Sequence, residues 1–268
     1  MRSGHTGYPI RHMEYRQTRA APGAAAFAAL SARAINVLEC LYTLLWTAGW
    51  ISVSLIRQAV TGRRDLALEM ARTHWAPGLV GPAGGLTVEG ADAIDWNRPY
   101  LVVANHESLL DICVLFMAVP APLRFLLKEE MRRVPFLCGY ARATGMLFIS
   151  REDRRAGPLL RRQVAGLLGS GRTLCLFPEG TRSRDGRLGE FKSGSFQAAI
   201  DAGVDVLPIA LHGTGRVLPP TGFFRTCRGP MRATVGTPIR VDGRIGAAGR
   251  QAVAREAQDA VAAMLGRR

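Results

Sequence analysis

"YLVVANHESLLDICVLFMAV", residues 100–119, changes period in its middle. The first five residues form a short apolar run of the kind a fully buried strand shows. Asn105, His106 and Glu107 interrupt it, and from residue 108 to 119 the pattern is helical. Strand, polar turn and helix in that order make the repeating unit of an α/β sheet. Outward from this unit the same alternation continues. "LTVEG" (86–90), "RFLL" (124–127), "MLFI" (146–149), "TLCLF" (173–177) and "VLPIAL" (206–211) read as further strands. Helical patterns fall between them, including 158–168 and 194–202, and an amphipathic helix covers 250–265. The alternation predicts an α/β sheet covered by helices on both faces. Pro208 cannot donate to a ladder, so its run is expected at a sheet edge.

"NHE", "PEGTR" (178–182) and "HGTGR" (212–216) each begin where one of these runs stops. Ligands in open α/β sheets collect at the carboxyl ends of the strands, so these residues are expected on the rim of one crevice. An imidazole beside a carboxylate is a general base with its orienting partner. Five residues are too many for His106 and Asp111 to share one face of a regular helix. The pair works if His106 sits on the turn and Asp111 reaches back from the first helical turn. Spacing alone favours a helix-entry histidine with a solvated aspartate. In "LFPEGTRS" (176–183), Arg182 offers a planar fork suited to phosphate. Neither G-x-x-x-x-G-K-[ST] nor a strand-linked G-x-G-x-x-G occurs, and the absence of G-x-S-x-G speaks against a serine hydrolase.

Thirty-five Lys and Arg against 21 Asp and Glu give the 268-residue chain a charge of +14, which calls for a polyanionic partner or an Arg-rich solvated surface. Without zinc-finger spacing or an aromatic RNP-like segment, nucleic acid is not expected as that partner. The five cysteines, at 40, 113, 138, 175 and 227, include no C-x-x-C pair. They read as small hydrophobes in a reducing compartment, with no metal site.

Residues 1–33, rich in Ala, Gly and Arg, are expected to be disordered or loosely helical. Residues 34–75 form a membrane-associating helical segment, and 76–268 the main domain. Within that segment "CLYTLLWTAGWISVSLI" (40–56) carries no charge. At about 1.5 Å per residue it spans roughly 25 Å, a little short of a ~30 Å hydrocarbon core. Arg16, Arg19 and Arg33 precede it and Arg57, Arg63 and Arg64 follow it. A single span would send one basic flank outside. A monotopic anchor on the cytoplasmic face of the cell membrane is therefore favoured over a span, with Tyr42, Trp46 and Trp50 suited to the interface.

Taken in order, "NHESLLD" (105–111), "GMLFISR" (145–151), "FPEGTRS" (177–183) and "VLPIA" (206–210) resemble the four motifs of the 1-acylglycerol-3-phosphate acyltransferase family. "KEEMRRVPFLCGYARATG" (128–145) resembles the segment between the first two motifs, and "RDGRLGEFKSGSF" (184–196) the continuation after the third. The resemblance covers roughly residues 80 to 240. It implies a mixed sheet flanked by helices and transfer of an acyl chain from acyl-CoA or acyl-carrier protein to lysophosphatidic acid among membrane lipids. It assigns His106 as the base and Asp111 as its orienting partner. Glu179, Gly180 and Thr181 match positions that hold the acceptor, and Arg182 matches the phosphate-binding arginine. Arg151 is expected as a second phosphate contact and Lys128 as a weaker one. No metal or bound cofactor is implied; the thioester is a substrate. Ser150 stands where many members carry Asp, which leaves other acceptors open: a lyso-ornithine lipid, another lysophospholipid or glycerol 3-phosphate. A non-catalytic membrane-binding relative is the alternative from another class.

Overall fold

A computed structural model describes residues 22–149, 157–221 and 226–266. A helix, α1 (Pro22–Thr61), leads into a helical stretch over 66–80 made of α2 (Leu66–Met70), a π-turn (Ala71–Trp75) and α3 (Ala76–Val80). Seven strands then alternate with helices: β1 (Leu86–Glu89), β2 (Leu101–Ala104), α4 (Leu110–Ala118), β3 (Leu123–Lys128), α5 (Pro135–Thr144), β4 (Leu147–Ile149), α6 (Gly157–Gly169), β5 (Thr173–Leu176), α7 (Gln197–Ala202), β6 (Val206–His212), α8 (Thr214–Val217), β7 (Met231–Val235) and α9 (Gly246–Met264). The sheet order is β1-β7-β6-β2-β5-β3-β4. Pairing is parallel from β6 to β4, and β7 joins β6 antiparallel, so the sheet is mixed.

β2 lies at the centre of this sheet and is buried on both faces, which is why its sequence runs apolar instead of alternating. Val102 and Ala104 pack into one core with Leu68, Val114, Leu115 and Phe125. Leu101 and Val103 pack into the other with Leu168, Phe196, Val253 and Ala257. Helices therefore cover both faces, as the alternation predicts.

Two expectations change and one is narrowed. Of the two alternatives for residues 1–33, the described part is helical: α1 begins at Pro22, where proline at the first helical position needs no N–H partner, and the alanine-rich run that follows has high helix propensity. The domain boundary at 75/76 falls inside the continuous helical stretch 66–80. β6, expected at an edge, lies between β7 and β2. Pro208 is tolerated there because β7 has already ended on the side it faces: Ile209 pairs with Val235, and beyond it Gly236 donates its N–H to the Pro208 carbonyl at 2.9 Å. Only an acceptor is needed at that position.

Polar side chains and aromatic rings fasten α1 to the rest. Tyr42 donates to the Gly78 carbonyl (3.0 Å), and Trp46 to that of Trp75 (3.0 Å). Trp75 donates in turn to Thr47 Oγ1 at 3.1 Å. Gln58 accepts from Ala67 N (3.1 Å) and donates to the Ala143 carbonyl (3.1 Å). Rings of Tyr42, Trp46, Trp50 and His74 form a contiguous row, with Trp50 and His74 centroids 4.8 Å apart. The aromatics that suited a membrane interface are thus also the stitches of a helix pair.

Arg124 ties this helical layer to the sheet. Its side chain is 5% exposed, pairs with Asp65 at the start of α2, and donates to the carbonyls of Thr144 (2.9 Å) and Pro122 (3.3 Å). Burial pulls its pKa below the usual guanidinium value, and the Asp65 carboxylate opposes this only in part. Arg124→Met should leave the carboxylate and two carbonyls without donors. The expected loss is about 2–3 kcal/mol of unfolding free energy, read as a lower urea midpoint at unchanged slope.

Candidate active site

β2 and β5 are paired neighbours, with Val103 opposite Leu176, so the loops that leave their carboxyl ends emerge side by side. The first carries His106 and the second Phe177 to Arg182. β6, on the other flank of β2, is joined to the same turn by Asn105. Its amide accepts from Leu211 N at 2.8 Å and donates to Leu211 O at 3.0 Å, extending the ladder by one side chain.

Asp111 is fully buried, and its Oδ2 gathers three donors: His106 Nδ1 (2.7 Å), Glu107 N (2.7 Å) and Ser108 N (2.9 Å). The helix expected from residue 108 starts at Leu110, because the two preceding N–H groups turn inward to this carboxylate. Asp111 thus reaches back from the first helical turn to a histidine on the loop. A carboxylate at Nδ1 places the ring proton there and leaves the lone pair on Nε2. Phe177 fixes the plane of the imidazole by stacking on it, centroids 3.8 Å apart at 11°. Burial and the charge of Asp111 push the nearby Cys113 thiol up to about 12, so it behaves as an inert hydrophobe.

Glu179 lies behind this pair. It is 7% exposed, its Oε1 accepts from His106 N (2.8 Å) and its Oε2 from Gly189 N (2.8 Å). Both oxygens hold backbone, so Glu179 grips the histidine loop. Burial holds its pKa above the ordinary carboxylate value, against the lowering effect of the Gly189 and His106 N–H groups. Ser183 N donates to the His106 carbonyl at 2.7 Å, so the 180–183 strip runs along the histidine loop.

His106 lines a cavity of about 860 Å³. Its wall is apolar for most of its extent, including Ile51, Met70, Phe116, Phe125 and Met146 from α1, α2, α4, β3 and the start of β4. Gly180, Thr181 and Arg182 line the same cavity, as does Lys128 at the end of β3, whose ammonium is paired with Glu130 at 3.0 Å. Arg151 lies outside the described residues. Phe177, Asn105 and Lys192 were not among the sequence candidates. Phe177 and Asn105 carried one available signal, since each is the first residue after an apolar strand.

The acyltransferase family model matches residues 85–212, the stretch that holds the histidine turn, the Glu179 loop and the four central strands around them. Through this segment, just under half of its length, the chain is similar to the acyltransferase family. The chain is 39% identical to a 1-acyl-sn-glycerol-3-phosphate acyltransferase of Neisseria gonorrhoeae over 58% of its own length and 57% of the relative's. It is 37% identical to a protein of the same name from Chlamydomonas reinhardtii, over 58% of its own length and 47% of the relative's. The chain spans about half the length of such curated relatives. A crystal structure of the 1-acyl-sn-glycerophosphate acyltransferase PlsC from Thermotoga maritima superposes with a TM-score of 0.73 at 28% identity, covering 88% of this chain and 98% of that one. The α/β fold of this chain is therefore shared with that structure.

Glu179→Gln separates a loop grip from an acceptor contact. The amide keeps one acceptor oxygen and loses the other, so turnover should fall about tenfold or more while the acceptor KM stays within a few-fold. Stability adds a second readout. A carboxyl whose folded pKa is raised contributes stability that is present at low pH and lost as pH rises through the folded value. The glutamine has no such dependence. The difference in unfolding free energy should therefore move in the variant's favour as pH rises from about 4.5 through that raised value. A flat difference would assign the titration elsewhere.

Proposed function

We propose that this acyltransferase moves an acyl chain from a thioester, acyl-CoA or acyl-carrier protein, to the free hydroxyl of 1-acyl-sn-glycerol 3-phosphate, giving phosphatidic acid. The observation that carries the reading is the His106–Asp111 pair, whose histidine lines a largely apolar cavity that is also lined by cations. A base, a hydrocarbon slot and positive charge are the three things this substrate pair requires. The names of the relatives point the same way.

In the proposed reaction, His106 Nε2 takes the proton of the acceptor hydroxyl as its oxygen attacks the thioester carbonyl. Asp111 holds the imidazole in the useful tautomer and stabilises the imidazolium. The tetrahedral oxyanion collapses, the carbon–sulfur bond breaks, and the thiolate leaves with the proton from the imidazolium. Ester and free thiol are the products, with no covalent enzyme intermediate. Apolar surface along the cavity shelters the acyl chain, and Arg182 offers a bidentate fork to the acceptor phosphate.

His106→Ala should lower turnover by about 10²- to 10⁴-fold in a folded protein. Arg182→Lys should cost roughly 10- to 150-fold in specificity constant for lysophosphatidic acid. It should also erode the preference for that acceptor over a lyso-ornithine lipid, which has no phosphate. A panel of labelled acyl donors and lyso-lipid acceptors reads all three. Thioester loss without any acceptor would support a hydrolase instead.

The same reading places the protein on the cytoplasmic face of the membrane as a monotopic enzyme. Helix α1 has 40 residues, about 60 Å at 1.5 Å each, which is twice a ~30 Å hydrocarbon core. Leu38, Leu41, Leu45, Ile56 and Val60 are exposed along it, while Tyr42 to Gln58 also bond to the helices beneath. A perpendicular span would strip those bonds. A helix lying in the interface keeps them and buries the outer apolar side in lipid. Because Ile51 and Ser54 also line the cavity, removing α1 would damage the site. Glutamates at Leu38, Leu45 and Ile56 are the cleaner test: they should release the protein from membrane pellets while detergent-assayed activity stays near wild type. Membrane retention by that triple variant would argue against the interfacial helix.

A further inference from the structure

Among the described residues, four lysine or arginine side chains line the large cavity, and their environments divide them. Lys128 is paired with Glu130 at 3.0 Å and Arg161 with Asp201 at 3.1 Å. Arg182 and Lys192 have no carboxylate within ion-pair distance among the described residues. The two lie on neighbouring segments at the histidine end of the cavity, where the 180–183 strip meets the 192–195 turn.

Lys192 is placed by its backbone. Its N–H donates to the Pro178 carbonyl at 3.1 Å, and its carbonyl accepts from Ser195 N at 3.0 Å. On one side, Phe191 is buried and donates its N–H to Gln258 Oε1 of α9 at 2.9 Å. These bonds aim the lysine back over the loop that follows β5. Gly180, at φ +76°, lies beneath the side chain: a Cβ there would come within 2.9 Å of Lys192 Nζ, 3.4 Å of Cε and 3.7 Å of Cδ. The glycine therefore serves both a left-handed turn and the room for an ammonium above it.

We propose that Lys192 is a second cation for the acceptor phosphate, completing with Arg182 a two-sided cradle next to His106. The proposal rests on the reading of the acceptor as a phosphomonoester. In such an acceptor the phosphorus is only four bonds from the reacting oxygen, so the phosphate must sit close to the histidine when the hydroxyl does. The cations on the adjoining 180–183 strip and the turn behind it meet that demand. A phosphomonoester carries about 1.5 to 2 negative charges near neutral pH. One planar fork and one compact ammonium with three donors answer that charge from two directions. The glycerol backbone would thereby be fixed at both ends, hydroxyl to His106 and phosphate to the pair.

The test is Lys192→Met, with Lys192→Gln as a second neutral variant and Lys192→Arg as the conservative one. The side chain is exposed, and unfolding midpoints are compared first to show that each variant folds. Expected results are a 10- to 100-fold rise in KM for lysophosphatidic acid in both neutral variants, about unchanged kcat, and an unchanged KM for the acyl donor. Inhibition by glycerol 3-phosphate, used as a competing phosphomonoester, should weaken by a similar factor, and Lys192→Arg should recover most of both effects. Transfer to a phosphate-free monoacylglycerol should not fall in step. Wild-type transfer to lysophosphatidic acid with unaltered KM and inhibition in the neutral variants would overturn the role of Lys192 alone. Equal losses with and without the acceptor phosphate would also overturn it. Failure of the wild type to use lysophosphatidic acid would overturn the function reading, and the cradle with it.

Discussion

One oxygen atom, Oδ2 of Asp111, determines the shape of the catalytic turn. It accepts hydrogen bonds from His106 Nδ1 and from the N–H groups of Glu107 and Ser108. Those three bonds convert the end of β2 into a loop that points an imidazole at the cavity and then starts α4. A fully buried carboxylate is costly unless it is hydrogen-bonded this heavily. The cost falls on the residue with the most to organise. Glu179 grips the same loop from the neighbouring strand, through His106 N, and links it to the segment at Gly189. Two acids thus hold one histidine, one by its ring and one by its backbone.

The second constraint is shared between catalysis and location. Helix α1 contributes Ile51 and Ser54 to the cavity wall and presents Leu38, Leu45 and Ile56 outward. The Trp46, Trp75 and Gln58 bonds join the two roles in one rigid layer, and Arg124 with Asp65 fastens that layer to β3. On the proposed function, a helix built this way would let an apolar chain pass between protein and lipid without crossing water. The charge of +14 would, on the proposed function, attract anionic lipid and an acidic donor.

Much of this was legible in the chain. Buried strands of a parallel sheet read as unbroken apolar runs, and "YLVVA", "TLCLF" and "VLPIAL" are such runs. β7 was missed although Met231, Ala233 and Val235 alternate with outward residues, because a five-residue alternation after a Gly-Pro turn is a weak signal beside longer runs. Pro208 misled for a physical reason: a proline forbids a donor, and whether a donor is needed depends on where the neighbouring strand stops. The 1–33 boundary was set by composition, while the helix start follows from Pro22 and the alanines behind it.

By itself the sequence determined the α/β class and the apolar front helix, because periodicity is a local property; His106 and Asp111 stood out through the resemblance of their motif, since spacing alone left their roles open. It also placed Glu179 and Arg182 on the loop after a strand. Only the tertiary structure decided what those side chains face. Glu179 turned out to hold the histidine's own backbone, Phe177 to stack on its ring, and Lys192 to lie over Gly180. Each of these contacts joins segments that are adjacent in space through the pairing of β2 with β5 or through the turn packed on α9, and no local pattern encodes such a neighbour. The same holds for charge: a lysine and an arginine look alike in sequence whether or not a carboxylate from another element neutralises them, and that difference separates Lys128 and Arg161 from Arg182 and Lys192.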